Sequence, residues 1–386
     1  MPTRSKDRFL VFGAPDIGTA EIEEVVDSIQ RGWLGTGPKV AAFEEAFRQY
    51  KEAGHAVAVN SCTAALHLSM IAAGIAPGDE IIVPAMTFCS TVNAIIHANA
   101  VPVLVDVDPT TMNIDPNQVA AKITSKTKGI ICVHFAGRAC DMDAICEICN
   151  RYDLKLIEDC AHAFETEYKG RKTGTFGDFG CFSFYVTKNV ITGEGGMVVA
   201  AKESDAARIK TLALHGMSKD AWKRFADEGY KHYQVVECGF KYNMMDIQAA
   251  IGIHQLKRVE KNWIARKKIW NRYNEAFKHL PCILPSDPAS DTRHGYHLYT
   301  PLIDIDKTGR SRDWVLDAMT HENIGVGVHY IPIHLHPFYQ KEYGWEKGDF
   351  PHAEWIGDRT VSLPLSPALT EQDVNDVIAA FTKVLT

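Results

Sequence analysis

Seven short apolar segments recur over the first 200 residues, and helical patterns of apolar and polar positions separate them. The segments are rich in Val, Ile and Phe, which is typical of strands covered on both faces of a sheet. They are 56–60, 80–84, 101–107, 129–135, 154–159, 181–186 and 196–200. The alternation of strands and helices predicts an α/β domain with a mostly parallel seven-stranded sheet.

The pattern changes after residue 245. The segment 246–280 carries apolar positions near a 3.6-residue period and contains no proline, which predicts one long or kinked helix. Further strand and helix signals follow, and the last helix is expected to begin at about Glu371. We therefore predict a large domain, 1–250, and a smaller C-terminal α/β domain, 251–386, with a ligand site between them.

Composition excludes several classes of function. The 386 residues include 41 Lys and Arg against 48 Asp and Glu, a net charge of −7 that argues against nucleic-acid or anionic-membrane partners. No segment approaches the roughly 18 apolar residues of a membrane span. The ten cysteines are scattered through apolar segments, so we expect reduced thiols and a cytoplasmic protein. Cys146 and Cys149 have a zinc-like spacing, but no second pair of ligands follows, so we predict a core helix and no metal.

The first candidate for chemistry is the strand-to-helix junction at 60–66. Small polar residues follow the strand, so backbone N–H groups and the positive end of the helix dipole are expected at a sheet edge. This arrangement suits a phosphate, although Ser61 or Thr63 could simply cap the helix. The motif alone leaves both interpretations open.

Two further motifs point to a cofactor. Glu158 and Asp159 end an apolar strand, where open α/β sheets bind ligands and where a buried carboxylate needs a partner. Lys188 follows an aromatic strand and precedes a glycine-rich return, and a desolvated lysine is a nucleophile towards carbonyls. Either motif could be structural, as a cap or as a lysine that extends to solvent. Together with the phosphate cradle they indicate pyridoxal phosphate (PLP), held by the lysine as a Schiff base and protonated on its ring nitrogen by the aspartate.

With these motifs the sequence resembles the DegT/DnrJ/StrS-type family of PLP-dependent sugar aminotransferases, which have the aspartate-aminotransferase (type I) fold. The resemblance extends over nearly the whole chain. Its motifs are GWLGTGP (32–38), NSCTAALHL (60–68), GDEIIVPAMTFCSTVNA (78–94), VHFAG (133–137), IEDCAHA (157–163), FSFYVTKNVITGEGG (182–196), GFKYNMMDIQAA (239–250), HYIPIHLHP (329–337) and SLPLSPALT (362–370).

The resemblance implies a role for each matching residue. Lys188 would bind the aldehyde and move protons, Asp159 would contact the pyridine nitrogen, and Ser183 would bind the phosphate. The remaining expected cofactor contacts are Cys62 and Thr63 at the phosphate, Phe88 stacked on the ring, and His162 near the phenolic oxygen. The family also implies a homodimer with a shared active site, in which Lys241 or Asn243 reaches the neighbouring subunit's cofactor phosphate.

The implied reaction is transfer of an amino group from an amino acid, glutamate being expected, to a keto sugar linked to a nucleotide. The segments GFKYNM, SKDAWKRF and VHFAG look more like members that aminate C4 than like those that aminate C3. Sugar contacts are expected from His329, Tyr330 and His336, and diphosphate contacts from loop 218–224.

Three features of the chain bear on how far the resemblance extends. Position 62 is commonly Gly in the family, and many members have Asn where this chain has Lys241. A branch that dehydrates sugars has histidine in place of the lysine, so Lys188 argues against that activity here. A C3-aminating enzyme, or a PLP-binding regulator without turnover, remains an alternative.

Overall fold

The computed structural model describes residues 2–218 and 233–386, and a seven-stranded sheet forms its centre. The strands are β1 (His55–Val59), β2 (Glu80–Pro84), β3 (Val101–Val105), β4 (Thr127–Val133), β5 (Lys155–Asp159), β6 (Glu167–Tyr168), β7 (Arg171–Lys172), β8 (Phe179–Ser183), β9 (Gly196–Ala200), β10 (Cys282–Ile283), β11 (Thr292–Arg293) and β12 (Leu302–Ile303). The large sheet has the order β1-β9-β8-β5-β4-β2-β3, and β9 runs antiparallel to both of its neighbours. The predicted mostly parallel seven-stranded sheet is confirmed.

Each apolar segment found in the sequence contributes one strand to this sheet. The main differences lie at the strand ends. The segment 181–186 leaves the sheet after Ser183, where Phe184 N donates to Gly195 O and a bridge joins Tyr185 to Gly193. The glycine-rich segment therefore supplies the hydrogen-bond partners for the backbone of Phe184 and Tyr185, which no longer pair with a neighbouring strand.

Helices cover both faces of the sheet and form most of the C-terminal part. They are α1 (Thr19–Gln30), α2 (Pro38–Lys51), α3 (Cys62–Ala72), α4 (Cys89–His97), α5 (Pro116–Ala121), α6 (Met142–Tyr152), α7 (Glu203–Ala213), α8 (Asp246–Lys257), α9 (Val259–Phe277), α10 (Ile305–Thr308), α11 (Arg312–His321), α12 (Pro337–Tyr343), α13 (Pro351–Gly357) and α14 (Glu371–Leu385). Within the described residues, no helix combines the length and apolar character that crossing a bilayer requires.

The predicted long helix consists of two helices, α8 and α9. They meet at Arg258, whose backbone (φ −112°, ψ 8°) lies outside the helical region. The Arg258 guanidinium is held there by an ion pair of 2.7 Å to the buried Glu21 of α1. Helix α8 extends across the expected domain boundary at residue 250. The division of the chain into domains 1–250 and 251–386 stays a prediction.

The C-terminal part has an apolar cluster of its own, built from α9, α11 and α14. Its largest members include Trp270, Tyr273 and Phe277 of α9. The rings of Phe277 and Phe381 meet edge to face, with centroids 4.8 Å apart. Burial of such large rings supplies much of the driving force for packing this part of the chain.

The N-terminal segment packs on the same C-terminal part. Nη1 of Arg4 lies 2.7 Å from carboxylate oxygens of both Asp373 and Asp376 in α14, residues that follow it by 369 and 372 positions. A backbone bridge joins Leu10 to Ile324. The two ends of the chain are therefore in direct contact.

The parallel strands place their carboxyl ends along one edge of the sheet. The end of β5 is Asp159, α3 begins directly after β1, and Lys188 follows β8 by a short turn. In open α/β sheets this edge is where ligands bind.

Candidate active site

A cavity of about 440 Å³ lies at this edge. Most residues expected in the site line it together: Cys62, Thr63, Phe88, Asp159, His162, Ser183, Lys188, His329 and Tyr330. Further lining residues include Ser61, Thr87, Ser90, Tyr185, Thr187 and Glu194. The structure thus brings together side chains from segments that are up to about 270 positions apart in the sequence.

The amino end of α3 forms one wall of the cavity. Ser61 is the N-cap, and its hydroxyl accepts a hydrogen bond of 3.1 Å from Ala64 N. The N–H groups of Cys62 and Thr63 precede the first intrahelical bond, from Ala65 N to Ser61 O, so they remain available for an anion. Ser61 therefore caps the helix, and because the next two residues still offer donors, the phosphate site stays a prediction.

Gly196 at the start of β9 makes this wall possible. A Cβ atom there would lie 2.5 Å from the carbonyl carbon and oxygen of Ser61 and 2.8 Å from Cys62 N. Only glycine allows the strand to approach the helix N-terminus so closely.

The two carboxylates at the end of β5 have different roles, because neighbouring residues of a strand point to opposite faces. Glu158 is fully buried and accepts hydrogen bonds from the backbone N–H groups of Gly174, Phe176 and Gly177, at 2.7, 2.7 and 2.9 Å. It also lies 3.1 Å from Nε2 of His134. Glu158 therefore anchors a turn behind the sheet and is not part of the cavity.

Asp159 instead faces the cavity and is only 3% exposed. Its Oδ2 accepts a hydrogen bond of 2.9 Å from the Thr91 hydroxyl, and its Oδ1 accepts one of 3.1 Å from Ala161 N. Burial raises the pKa of the Asp159 carboxyl group above its ordinary value. A carboxylate so buried is stabilised by a cation, and the protonated ring nitrogen of PLP is such a cation.

Lys188 lies in a turn closed by a hydrogen bond of 2.8 Å from its N–H to Tyr185 O. Burial lowers the pKa of its ammonium group to about 8, although Cys62 and Asp159 oppose this shift. A lysine with such a pKa is partly neutral near physiological pH, which a nucleophilic amine requires. The expected lysine nucleophile thus has a suitable environment.

His162 and Tyr330 meet at the side of the cavity. The Tyr330 hydroxyl lies 2.9 Å from Nε2 of His162, and Ala136 N donates to Nδ1 of His162 at 3.3 Å. Burial, followed by the positive charge of Lys188, lowers the pKa of the His162 imidazole well below its ordinary value. Burial likewise lowers the pKa of His329 to about 3, and a hydrogen bond of 2.7 Å joins its Nδ1 to Ser362.

A buried polar network behind Lys188 was not found from the sequence. Asn189 donates to Glu165 at 2.6 Å and to Gly295 O at 3.0 Å, and its Oδ1 lies 2.9 Å from Nδ1 of His297. Glu165 in turn pairs with the buried Arg266. The only sequence signal was the position of Asn189 beside the lysine, since its partners are distant in the chain.

Three expected residues lie outside this cavity. The exposed Lys241 offers its carbonyl to Asn60 Nδ2 at 3.3 Å, and Asn243 donates to the Thr36 hydroxyl at 2.7 Å. His336 precedes α12, with its ring 6.2 Å from that of Tyr339. In the expected diphosphate loop, residues 219–224 lie outside the described residues.

The lining residues fit PLP. Donors for a phosphate stand at the α3 N-terminus close to Ser183, the buried Asp159 carboxylate suits a protonated ring nitrogen, and Lys188 suits the aldehyde. Phe88 supplies an exposed ring at the cavity edge. Each functional group of the cofactor therefore has a chemical counterpart in the wall.

Enzymes that hold PLP in this way on such a sheet form the class of aspartate-aminotransferase-fold enzymes, and this chain is one of them. Within that class it belongs to the DegT/DnrJ/EryC1/StrS aminotransferase family, whose model matches residues 15–382. The expected family, fold and cofactor are confirmed, and the enzyme is a PLP-dependent sugar aminotransferase.

Similar proteins match over almost their full length. The spore coat polysaccharide biosynthesis protein SpsC of Bacillus subtilis is 47% identical over 383 residues, which are 99% of this chain and 98% of SpsC. The PMP form of Spr1654 from Streptococcus pneumoniae superimposes with a TM-score of 0.91 at 32% identity, over 97% of this chain and 98% of that one. Helicobacter pylori PseC, an aminotransferase involved in the biosynthesis of pseudoaminic acid, has a TM-score of 0.90 at 25% identity, over 98% and 99% of the two chains.

Proposed function

We propose that the enzyme transfers the amino group of L-glutamate to the C4 ketone of a nucleotide-linked 4-keto-6-deoxy sugar or a related 4-keto sugar. The observation that carries the proposal is the cavity in which Lys188 and Asp159 lie together beside the α3 N-terminus. When bound there, PLP supplies an electron sink for both halves of the reaction.

The residues of the chain have separate tasks in this reaction. Lys188 would hold the cofactor through its aldehyde, and the free Nζ amine would accept the proton that the α-carbon of the amino donor loses. The carboxylate of Asp159 keeps a proton on the ring nitrogen, with Thr91 holding its orientation. Reversal of these proton transfers on the sugar ketone completes the cycle, so the same lysine acts as base and as acid.

The C4 assignment rests on a few segments of the sequence. GFKYNM and VHFAG favour C4 amination over the C3 alternative, and VHFAG contains Ala136, whose N–H contacts His162. Product NMR after incubation with matched 3-keto and 4-keto nucleotide sugars tests the assignment. Amination of the 3-keto compound alone would contradict it.

The amino donor and the occurrence of turnover need their own experiment. Incubation of the holoenzyme with L-glutamate should bleach the visible cofactor band and release 2-oxoglutarate in the absence of any sugar. D-glutamate is the matched control. Binding of PLP without this half-reaction would favour the alternative, a PLP-binding regulator without turnover.

A homodimer with a shared site forms part of the proposal. The exposed residues Ile22, Val26 and Ile29 lie along one face of α1, and Trp33 and Leu34 continue the apolar surface with 44% and 49% exposure. Large apolar side chains in such a row are typical of an interface core. Because Lys241 and Asn243 lie outside their own chain's cavity, we propose that a second copy covers this surface and presents these residues to its partner's cofactor.

The dimer proposal has a direct test. Val26→Asp should convert the dimer to monomers in sedimentation experiments and weaken PLP binding, whereas Ile264→Asp, at an exposed site on α9, should do neither. A crystal structure with Lys241 and Asn243 both far from either cofactor phosphate would contradict the shared site.

We also propose a cytoplasmic location. All ten cysteines are free, which fits a reducing compartment. Fractionation of the native host checks this.

A further inference from the structure

The turn that carries Lys188 is held by the side chain of the next residue, Asn189. Nδ2 of Asn189 donates to Oε2 of Glu165 at 2.6 Å and to the carbonyl oxygen of Gly295 at 3.0 Å. An ionised carboxylate and a carbonyl oxygen can only accept, so the amide nitrogen must face these two partners and Oδ1 must face His297. Nδ1 of His297 therefore carries a proton and donates to Oδ1 of Asn189, 2.9 Å away.

These three partners require an amide at position 189. Burial, followed by the positive charge of Lys188, lowers the pKa of the His297 imidazole well below its ordinary value, so the ring is neutral and has one N–H group to donate. Asn189 uses both of its N–H groups and its oxygen, whereas an ionised aspartate of the same shape could not donate to Glu165 or to Gly295. The partners therefore determine both the type of this side chain and its orientation.

The partners of Asn189 are themselves held in place. Glu165 is 2% exposed and forms an ion pair with the buried Arg266 of α9. Gly295 is held through its N–H group, which donates to Gly137 O at 2.7 Å. Asn189 is therefore fixed to a frame of buried groups that belong to distant segments of the chain.

This anchoring matters for Lys188 when its amine is free. While Nζ is bonded to the cofactor, the covalent bond itself limits where the nitrogen can lie. Once displaced, Nζ is connected only through a flexible aliphatic stem, so the position of the Lys188 backbone decides which atoms it can reach. The bond of 2.8 Å from Lys188 N to Tyr185 O holds one side of the residue, and Asn189 holds the other. A misplacement of about 1 Å can cost on the order of 10²-fold in rate.

We propose that Asn189 is a positioning residue for the proton transfer: it fixes the backbone at Lys188 so that the free Nζ amine stays within reach of the α-carbon of the amino donor. In that step the α-carbon loses a proton to Nζ and keeps the electron pair, while Asn189 gains and loses nothing. The inference rests on the proposed function, in which Lys188 accepts this proton. It separates proton transfer, which depends on Asn189, from binding of the cofactor, which does not.

Stopped-flow absorbance of the holoenzyme with L-glutamate and with 2-deuterated L-glutamate tests the proposal. Asn189→Ala removes all three hydrogen bonds, and the half-reaction per bound cofactor should slow by about 10–10²-fold. Its deuterium isotope effect should be at least as large as that of the wild type, because breakage of the C–H bond then limits the rate. The affinity for PLP and the glutamate concentration that gives half of the maximal rate should stay within about threefold.

Asn274→Ala on α9 is the matched control. It removes an amide whose Oδ1 accepts from the Tyr299 hydroxyl at 3.0 Å, outside the cavity lining. This variant should have a lower Tm, with the rate and the isotope effect of the wild type. Asn189→Ser keeps a hydroxyl donor but cannot reach all three partners, so its rate should lie between those of the wild type and Asn189→Ala. The serine variant also provides the measurement if the alanine variant does not fold.

Two results would overturn the proposal. A rate in Asn189→Ala within about threefold of the wild type, even with a lower Tm, would show that Asn189 only stabilises the fold. A slower reaction with a smaller isotope effect would place the loss in a step other than proton transfer. A wild type that does not react with L-glutamate would instead refute the proposed amino donor, and the same comparison is then made with the amino acid that does react.

Discussion

Replacement of Asp159 by Asn separates charge from shape in the cavity. The amide has the same outline as the carboxylate, and its oxygen can still accept from Ala161 N. The Thr91 hydroxyl can rotate to accept from the new NH₂ group, because Thr87 lies 2.8 Å away and can exchange donor and acceptor roles with it. We therefore expect the variant to fold and to bind PLP.

The rate loss follows from the missing charge. A hydrogen bond to a charged group contributes about 1.5–3 kcal/mol, and two unit charges 4 Å apart attract by about 4 kcal/mol at an effective dielectric constant of 20. Because Asp159 is only 3% exposed, solvent screens this attraction little. At about 1.4 kcal/mol per factor of ten, we expect the half-reaction to slow by roughly 10–10³-fold.

Stopped-flow absorbance with saturating L-glutamate measures this rate per bound cofactor. Glu158→Gln is the matched control, since the neighbouring carboxylate points away from the cavity and accepts three backbone N–H groups. That variant should lower the free energy of unfolding by about 2 kcal/mol and leave the rate within threefold. If Asp159→Asn slowed the reaction by less than threefold, the assignment of Asp159 to the ring nitrogen would be wrong.

Three further predictions concern Lys188 and the α3 wall. Lys188→Ala should remove the visible band and turnover, and wild-type turnover would exclude Lys188 as the base. In cofactor-free protein the lysine pKa is about 8 when folded and 10.5 when unfolded, so its cost to stability is present below pH 8 and fades as pH rises towards 10.5. Lys188→Met should therefore raise the Tm at pH 7, with a gain that shrinks above pH 8; a constant gain would contradict this. Gly196→Ala should weaken PLP binding at least tenfold in equilibrium titration, because its Cβ atom would collide with the Ser61 carbonyl group. An unchanged affinity would show that β9 and the N-terminus of α3 can move apart without loss of the site.

Much of the sheet and of the cavity could be predicted because their signals are local. Strands buried on both faces are continuously apolar, and the residues at the carboxyl ends of parallel strands meet at one edge of the sheet, so Asp159 and Lys188 could be expected there. The apolar pattern alone could not distinguish Glu158 from Asp159, since which of them faces the cavity depends on the orientation of β5 relative to the helices that cover it; only the family resemblance assigned Asp159 to the ring nitrogen.

Contacts between distant segments carried no comparable signal. Thr91 orients Asp159 from a helix 68 positions earlier, and Arg266 is 101 positions from Glu165. A lone Thr or Arg in an amphipathic helix looks like any surface residue until the tertiary structure buries it. The contact of 2.9 Å between the Tyr330 hydroxyl and Nε2 of His162 likewise joins residues 168 positions apart.

The contact between the two ends of the chain has a consequence for biosynthesis. At about 5–20 residues per second, a ribosome needs on the order of tens of seconds to make this chain. Arg4 has no access to Asp373 and Asp376 until the ribosome has made the 369 and 372 residues that separate it from them. Leu10 likewise lacks its bridge partner Ile324 for most of the synthesis of the chain. Packing of the N-terminal segment on α14 can therefore begin only after residues 373–376 have been made.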